Sequence, residues 1–218
     1  MELKFRNSNL ARYNIVEYQG RKYIMDLHSM KGKCYYAGLL PKEISVQMTE
    51  VSLDDVSFER KGTPKFSTGL IVAVVQPFVK LLYDMMERTF IRYNIEQQMV
   101  IKTSLFLLPL IISYLVVQYY LFSSGRIAEQ RLQNYTKKMQ VSFTPNGKRM
   151  FGWQLLILIN LVIFGFYMLQ NTSGSGTFLI INGIVTTLML LGFIAMSPVS
   201  TPYRNGELIL TNISEVSD

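Results

Sequence analysis

Met150 to Tyr203 is a run of 54 residues without one Asp, Glu, Lys or Arg. A water-facing surface needs charged side chains at short intervals, so a run of this length is at odds with an ordinary soluble domain. Charge is concentrated at the other end of the chain. Of the 37 charged side chains (22 basic, 15 acidic), 19 lie in the first 65 residues. The mean hydropathy of +0.20 agrees and excludes intrinsic disorder, which requires low hydrophobicity. The pattern points to a membrane.

Three segments approach the roughly 20 apolar-dominated residues that cross about 30 Å of hydrocarbon at 1.5 Å per residue. They are 103–122, inside a charge-free stretch from 103 to 125, then 151–170 and 177–196. The last two are joined by Asn-Thr-Ser-Gly-Ser-Gly (171–176), a connection short enough to force an antiparallel hairpin. A fourth segment, 66–86, is more polar and carries Lys80. If it spans, Lys and Arg divide 18 to 3 between the two sides; if it does not, they divide 14 to 7. The first division fits the positive-inside rule better. The expectation is an α-helical polytopic membrane protein with four spans (about 66–86, 103–122, 151–170 and 177–196) in a domain from 66 to 198. It is multi-pass in the cell membrane, with both termini cytoplasmic. Tyr119, Tyr120 and Phe122, then Trp153 and Tyr167, fall near span ends, where aromatic belts form.

Residues 1–65 read as a small β-rich cytosolic head. Two β-prone runs within 11–28 flank Gln19-Gly20, the signature of a hairpin, and 43–52 alternates with period two. The segment 53–65, with Gly62 and Pro64, is a connector. In the tail, 199–218, a further strand is expected at 207–213.

Little in the composition supports catalysis. One cysteine, Cys34, rules out an intramolecular disulfide, and with one histidine, His28, no Cys/His metal centre can be assembled. No nucleophile elbow, phosphate loop or zinc-protease motif occurs. No enzyme, no metal and no cofactor are expected. The net charge of +7 is read as topology-setting and lipid-facing, with membrane lipid as a partner and no nucleic acid. Two sets of residues stand out. Gln76, Lys80, Asp84 and Arg88 are four apart and share a helix face, an intramembrane polar stripe. Asn160, Gly165, Asn182 and Gly183, in the last two spans, combine small residues with amides that hydrogen-bond between helices.

The head carries a resemblance. Ala11-Arg12-Tyr13-Asn14-Ile15-Val16-Glu17-Tyr18, then Gly20-Arg21-Lys22-Tyr23-Ile24-Met25-Asp26-Leu27, and later Leu40-Pro41-Lys42, resemble the opening of the tandem five-transmembrane protein family of Gram-positive bacteria. Some members are immunity proteins against membrane-depolarising toxins exported by type VII secretion. The resemblance implies an immunity protein against such a toxin; close packing and interhelical polar contacts then predict that it binds the pore-forming toxin within the bilayer through the hairpin of the last two spans, with Asn160, Gly165, Asn182 and Gly183 as the contact surface. The chain departs from the family at Ser29–Pro41, where Lys31 and Lys33 interrupt the expected apolar helix, so four spans rather than five are expected. The competing expectations are a transporter or channel component using the polar stripe, and a membrane-anchored sensor or scaffold acting through the head.

Overall fold

The computed structural model describes residues 2–32, 35, 38–60, 68–148, 152–170, 175–194 and 199–216. Cys34, the linker residues 171–174 and the expected end of the last span at Met196 lie outside them, as does the side chain of Trp153. Six strands, β1 (Lys4–Asn7), β2 (Tyr13–Tyr18), β3 (Arg21–Lys31), β4 (Ile44–Val51), β5 (Lys138–Pro145) and β6 (Leu208–Glu215), form one antiparallel half-barrel sheet. Their order across the sheet is their order along the chain. Between β4 and β5 come α1 (Thr68–Arg92), a 3-10 turn (Ile95–Gln97) and α2 (Met99–Leu132); between β5 and β6 come α3 (Gly152–Leu169), α4 (Gly176–Ile194) and α5 (Ser200–Arg204).

The β2–β3 hairpin follows from its turn. Gln19 and Gly20 both have positive φ, 50° and 75°, as a two-residue turn matched to the right-handed twist of its strands requires. Tyr18 then faces Arg21, and the alternation sorts side chains to two faces. Val16, Tyr23, Met25, Met48, Val141 and Phe143 build the larger core, which α5 covers with Val199 and Tyr203. Tyr13, Ile15, Ile24 and Val51 face the other way and pack with Phe58 and with Ala128 of α2.

Phe58 is held in that second core by its neighbours in the 52–60 segment. Lys22, almost fully buried on β3, donates to the Asp55 carbonyl (2.6 Å) and to Glu59 Oε1 (2.8 Å). Arg131 of α2 donates to the Ser57 carbonyl (2.6 Å) and stacks its guanidinium 5.5 Å from the Phe58 ring centroid. On the same face Arg12 forms a two-toothed pair with Asp26 (2.8 and 2.6 Å). A Cβ at Gly125 of α2 would collide with the end of the Arg12 side chain, so a larger residue there would have to push the guanidinium aside.

The chain divides into two units. A sheet unit comprises Met1–Lys61, Val117–Gln154 and Leu190–Asp218; a helical unit comprises Gly62–Val116 and Leu155–Met189.

Several expectations are corrected. Among the described residues, one helix is long and apolar enough to cross a membrane, α2, with 34 residues and a best-window mean hydropathy of 2.2. Within the described side chains, the apolar stretches of α3 and α4 cover Gln154–Leu169 and Gly176–Gly192. The second half of α1 carries Lys80, Asp84, Glu87 and Arg88. The four-span polytopic fold and the multi-pass location with both termini cytoplasmic are therefore not upheld, and the charge count that chose between topologies loses its basis. Nor is the sheet a small N-terminal head, because β5 and β6 belong to it. The helix expected over 103–122 continues to Leu132, since Leu121 and Ala128 are buried while Arg126 stays exposed.

Phe58→Ala should cost the sheet unit about 3–5 kcal/mol, the usual range for emptying a buried aromatic site, measured by denaturant unfolding. The Lys22 ammonium, through its hydrogen bond and its charge, lowers the Glu59 pKa below the ordinary carboxylate value. A depressed carboxylate stabilises the fold above its unfolded-state pKa, and that contribution disappears as pH falls through the folded value. Acidification should therefore loosen the 52–60 segment, read as faster proteolysis there, and Glu59→Gln should weaken that pH dependence, the remainder belonging to Asp55, whose pKa is lowered, against its burial, by hydrogen bonds from Ser57 and Tyr135.

Candidate functional site

The helical unit is built round an aromatic cluster. Phe90 of α1, Phe106 of α2, Tyr167 of α3 and Leu179 of α4 are all buried together, with Phe106 and Phe164 edge to face at 4.9 Å. Beneath it lies Lys102, 2 % exposed. Its ammonium donates to the carbonyls of Gln170 (2.6 Å) and Met168 (3.3 Å), at the C-terminal end of α3, and sits 5.2 Å from the Tyr167 ring centroid. The Tyr167 hydroxyl returns a hydrogen bond to the Lys102 carbonyl at 3.0 Å. A cation on carbonyls that have no donor within their own helix is favourable for both groups.

A polar seam runs between the helices. The Thr186 hydroxyl lies 3.1 Å from Asn160 Oδ1 and 3.4 Å from Asn182 Oδ1. Asn182 Nδ2 reaches the Phe106 carbonyl at 3.4 Å, and Asn160 Nδ2 the Leu156 carbonyl at 2.9 Å. Further along, Thr187 donates to Ser113 Oγ (2.9 Å), and Ser113 donates to the Gly183 carbonyl (3.0 Å). Beside this second cluster α1, α2 and α4 leave a groove of about 500 Å3.

Outside these contacts the helical unit shows hydrocarbon. Only 22 % of the most apolar window of α2 is buried. Leu107, Ile111 and Leu115 on α2 and Leu158, Leu161 and Phe166 on α3 are half or more exposed. Soluble chains rarely leave apolar surface uncovered on this scale.

The sheet unit offers a cleft of about 530 Å3 where the two edge strands face one space. Leu3 and Phe5 of the β1 side and Leu208 and Leu210 of β6 line it, with Glu2, Lys4 and Arg204 at its mouth. α5 bridges the edges. The Arg204 guanidinium donates to the Phe5 carbonyl, and the Leu3 amide donates to the Tyr203 hydroxyl at 3.3 Å. The Tyr203 ring packs tilted against Phe5 and edge to face with Phe143, at centroid distances of 5.6 and 5.9 Å.

The structure brings together three of the four residues singled out as a contact surface, but turns them inward. Asn160, Asn182 and Gly183 serve the seam, whereas Gly165 faces open space on α3. Gln76, Lys80 and Arg88 lie exposed along α1 with Asp84 partly covered, and none of the four lines the groove or the cleft. Lys102, Ser113, Thr186 and Thr187 did not stand out in the sequence. Ser113 and Lys102 are single polar residues within or at the start of an apolar run, and that is the signal they leave. Among the described residues no three His, Cys, Asp or Glu side chains cluster as metal ligands. No family model matches the chain, and neither the curated proteins nor the solved structures contain a match.

Thr186→Val keeps the shape and removes the one donor that serves both asparagine oxygens. It should lower the stability of the helical unit by about 1–2 kcal/mol, read as thermal unfolding in detergent; an unchanged midpoint would show that the seam carries no load.

Proposed function

We propose that the protein is a membrane-seated binding protein, held in lipid by the helical unit and presenting the sheet unit in water. The observation that carries this reading is the exposure of α2. A helix of this length and hydropathy inside a soluble core would be mostly covered, and its most apolar window is 22 % buried. Hydrocarbon is the solvent in which such a surface costs nothing. The seam supports the same reading, because helices in lipid gain nothing from hydrophobic association and rely on close packing and polar contacts such as those of Thr186 and Ser113.

The partner class comes from the resemblance: a secreted, membrane-depolarising toxin met within the lipid. What supports a contact there is the open face of α3 around Gly165, flanked by exposed Leu158, Leu161 and Phe166. Asn160, Asn182 and Gly183 are already engaged within the chain. The sheet cleft supports a scaffold role in parallel, since an edge strand such as β6 can accept an extended segment, whereas α5 already engages Leu3 and Phe5 on the β1 side.

The lipid reading is tested by flotation of the purified chain with vesicles of phosphatidylcholine and phosphatidylglycerol. The wild type should float. Ile111→Arg, a charge introduced into the exposed stretch of α2 at a cost of about 3 kcal/mol, should float several-fold less. Wild type that stays at the bottom of the gradient would end the proposal. For the toxin, membrane potential is recorded in cells expressing a type VII-secreted depolarising toxin. Gly165→Leu should abolish protection without changing flotation, and equal depolarisation with and without the wild-type protein would remove the toxin reading.

A further inference from the structure

We propose that the groove between α1, α2 and α4 holds one acyl chain of a membrane phospholipid as a resident ligand. The inference rests on the lipid-seated reading above and adds a specific site to it. The groove's volume of about 500 Å3 lies within the roughly 300–1,000 Å3 of small-molecule sites. Its walls are Leu82 and Met86 of α1, Leu108 and Ile112 of α2, and Ile184 and Leu188 of α4.

Two features choose hydrocarbon as the occupant. First, both hydroxyl protons on the floor are spent. The Thr187 hydroxyl is shared between Ser113 Oγ and the Gly183 carbonyl, the Ser113 hydroxyl donates to the Gly183 carbonyl, and no donor is left over for a ligand. A carbonyl, phosphate or carboxylate entering there would lose its water and gain no hydrogen bond in return. Second, the groove is continuous with the uncovered apolar surface. Leu82, Leu108, Ile112, Ile184 and Leu188 are each half or more exposed, so the groove opens along the same face that the helical unit turns to lipid. A chain lying in the bilayer slides in sideways without crossing water. Gly183 contributes by its lack of a side chain. A Cβ there would already touch Pro109 at 3.4 Å, and anything longer would occupy the groove.

The test uses the full chain, floated with phosphatidylcholine vesicles, extracted in mild detergent and passed through gel filtration before native mass spectrometry. The wild type should keep one phosphatidylcholine mass per chain. Ile112→Trp fills the groove from its exposed rim, and Gly183→Leu fills it from the floor. Each should reduce the retained lipid at least tenfold, with flotation unchanged for Ile112→Trp, the variant least able to disturb folding. Wild type that floats and emerges without lipid would overturn this site alone. Retention that is equal in wild type and Ile112→Trp would overturn the groove as its location. Wild type that fails to float would overturn both this inference and the reading on which it rests.

Discussion

The pairing of β4 with β5 constrains everything else in the chain. These strands are separated by 87 positions, from Val51 to Lys138, yet they lie side by side in register from Ile44 opposite Phe143 to Thr49 opposite Lys138. β5 and β6 repeat the arrangement, with Pro145 opposite Leu208 and 63 positions between them. Each helical insertion must therefore leave the sheet and return to it. In a membrane this has a topological consequence, because a sheet cannot be hydrogen-bonded through a bilayer. α2 cannot act as a lone anchor with β4 on one side and β5 on the other. Both insertions end on the side from which they began, whatever depth they reach.

The two units are stabilised by different physics. In the sheet unit, burial in water does the work, through a large core covered by α5 and a smaller one plugged by Phe58. The ion pairs there are partly shielded. Arg12 with Asp26 ties the start of β2 to β3, Lys22 with Glu59 holds the 52–60 segment on the second face, and Arg131 joins the α2 extension to that segment. In the helical unit the apolar side chains largely face outward, so association rests on the aromatic cluster, the seam and the Lys102 clamp on the end of α3. Thr186 and Lys102 thus do in the helical unit what Met25 and Phe143 do in the sheet.

Local signals read well and distant ones did not. The β2–β3 hairpin was visible because alternation and Gln19-Gly20 are adjacent in the chain. β1 has only four residues, two of them charged, and leaves no pattern. β5 does alternate, with Met139, Val141 and Phe143 pointing one way, but its pairing partners are encoded far off in sequence, and nothing local reports them. The charge-free run was a sound guide to where apolar helices lie: α3 and α4 begin and end within two residues of the segments expected at 151–170 and 177–196. The candidate contact residues show the same limit as β5. Asn160 and Asn182 were marked as hydrogen-bonding groups, and their partner, Thr186, was hidden because a threonine in an apolar helix is unremarkable until the neighbouring helix is known.

The central claim is that the helical unit sits in lipid while every strand of the sheet stays on one side. Cysteine accessibility tests it most directly. In a Cys34→Ser background, single cysteines replace Arg21 beside the β2–β3 turn, Lys148 just after β5, and Ile111 in α2, in protein inserted into sealed vesicles and exposed to a membrane-impermeant maleimide. The account predicts that positions 21 and 148 label together from the same side and that position 111 stays protected until detergent is added. Labelling of 21 and 148 from opposite sides, or of 111 as readily as 21, would contradict it.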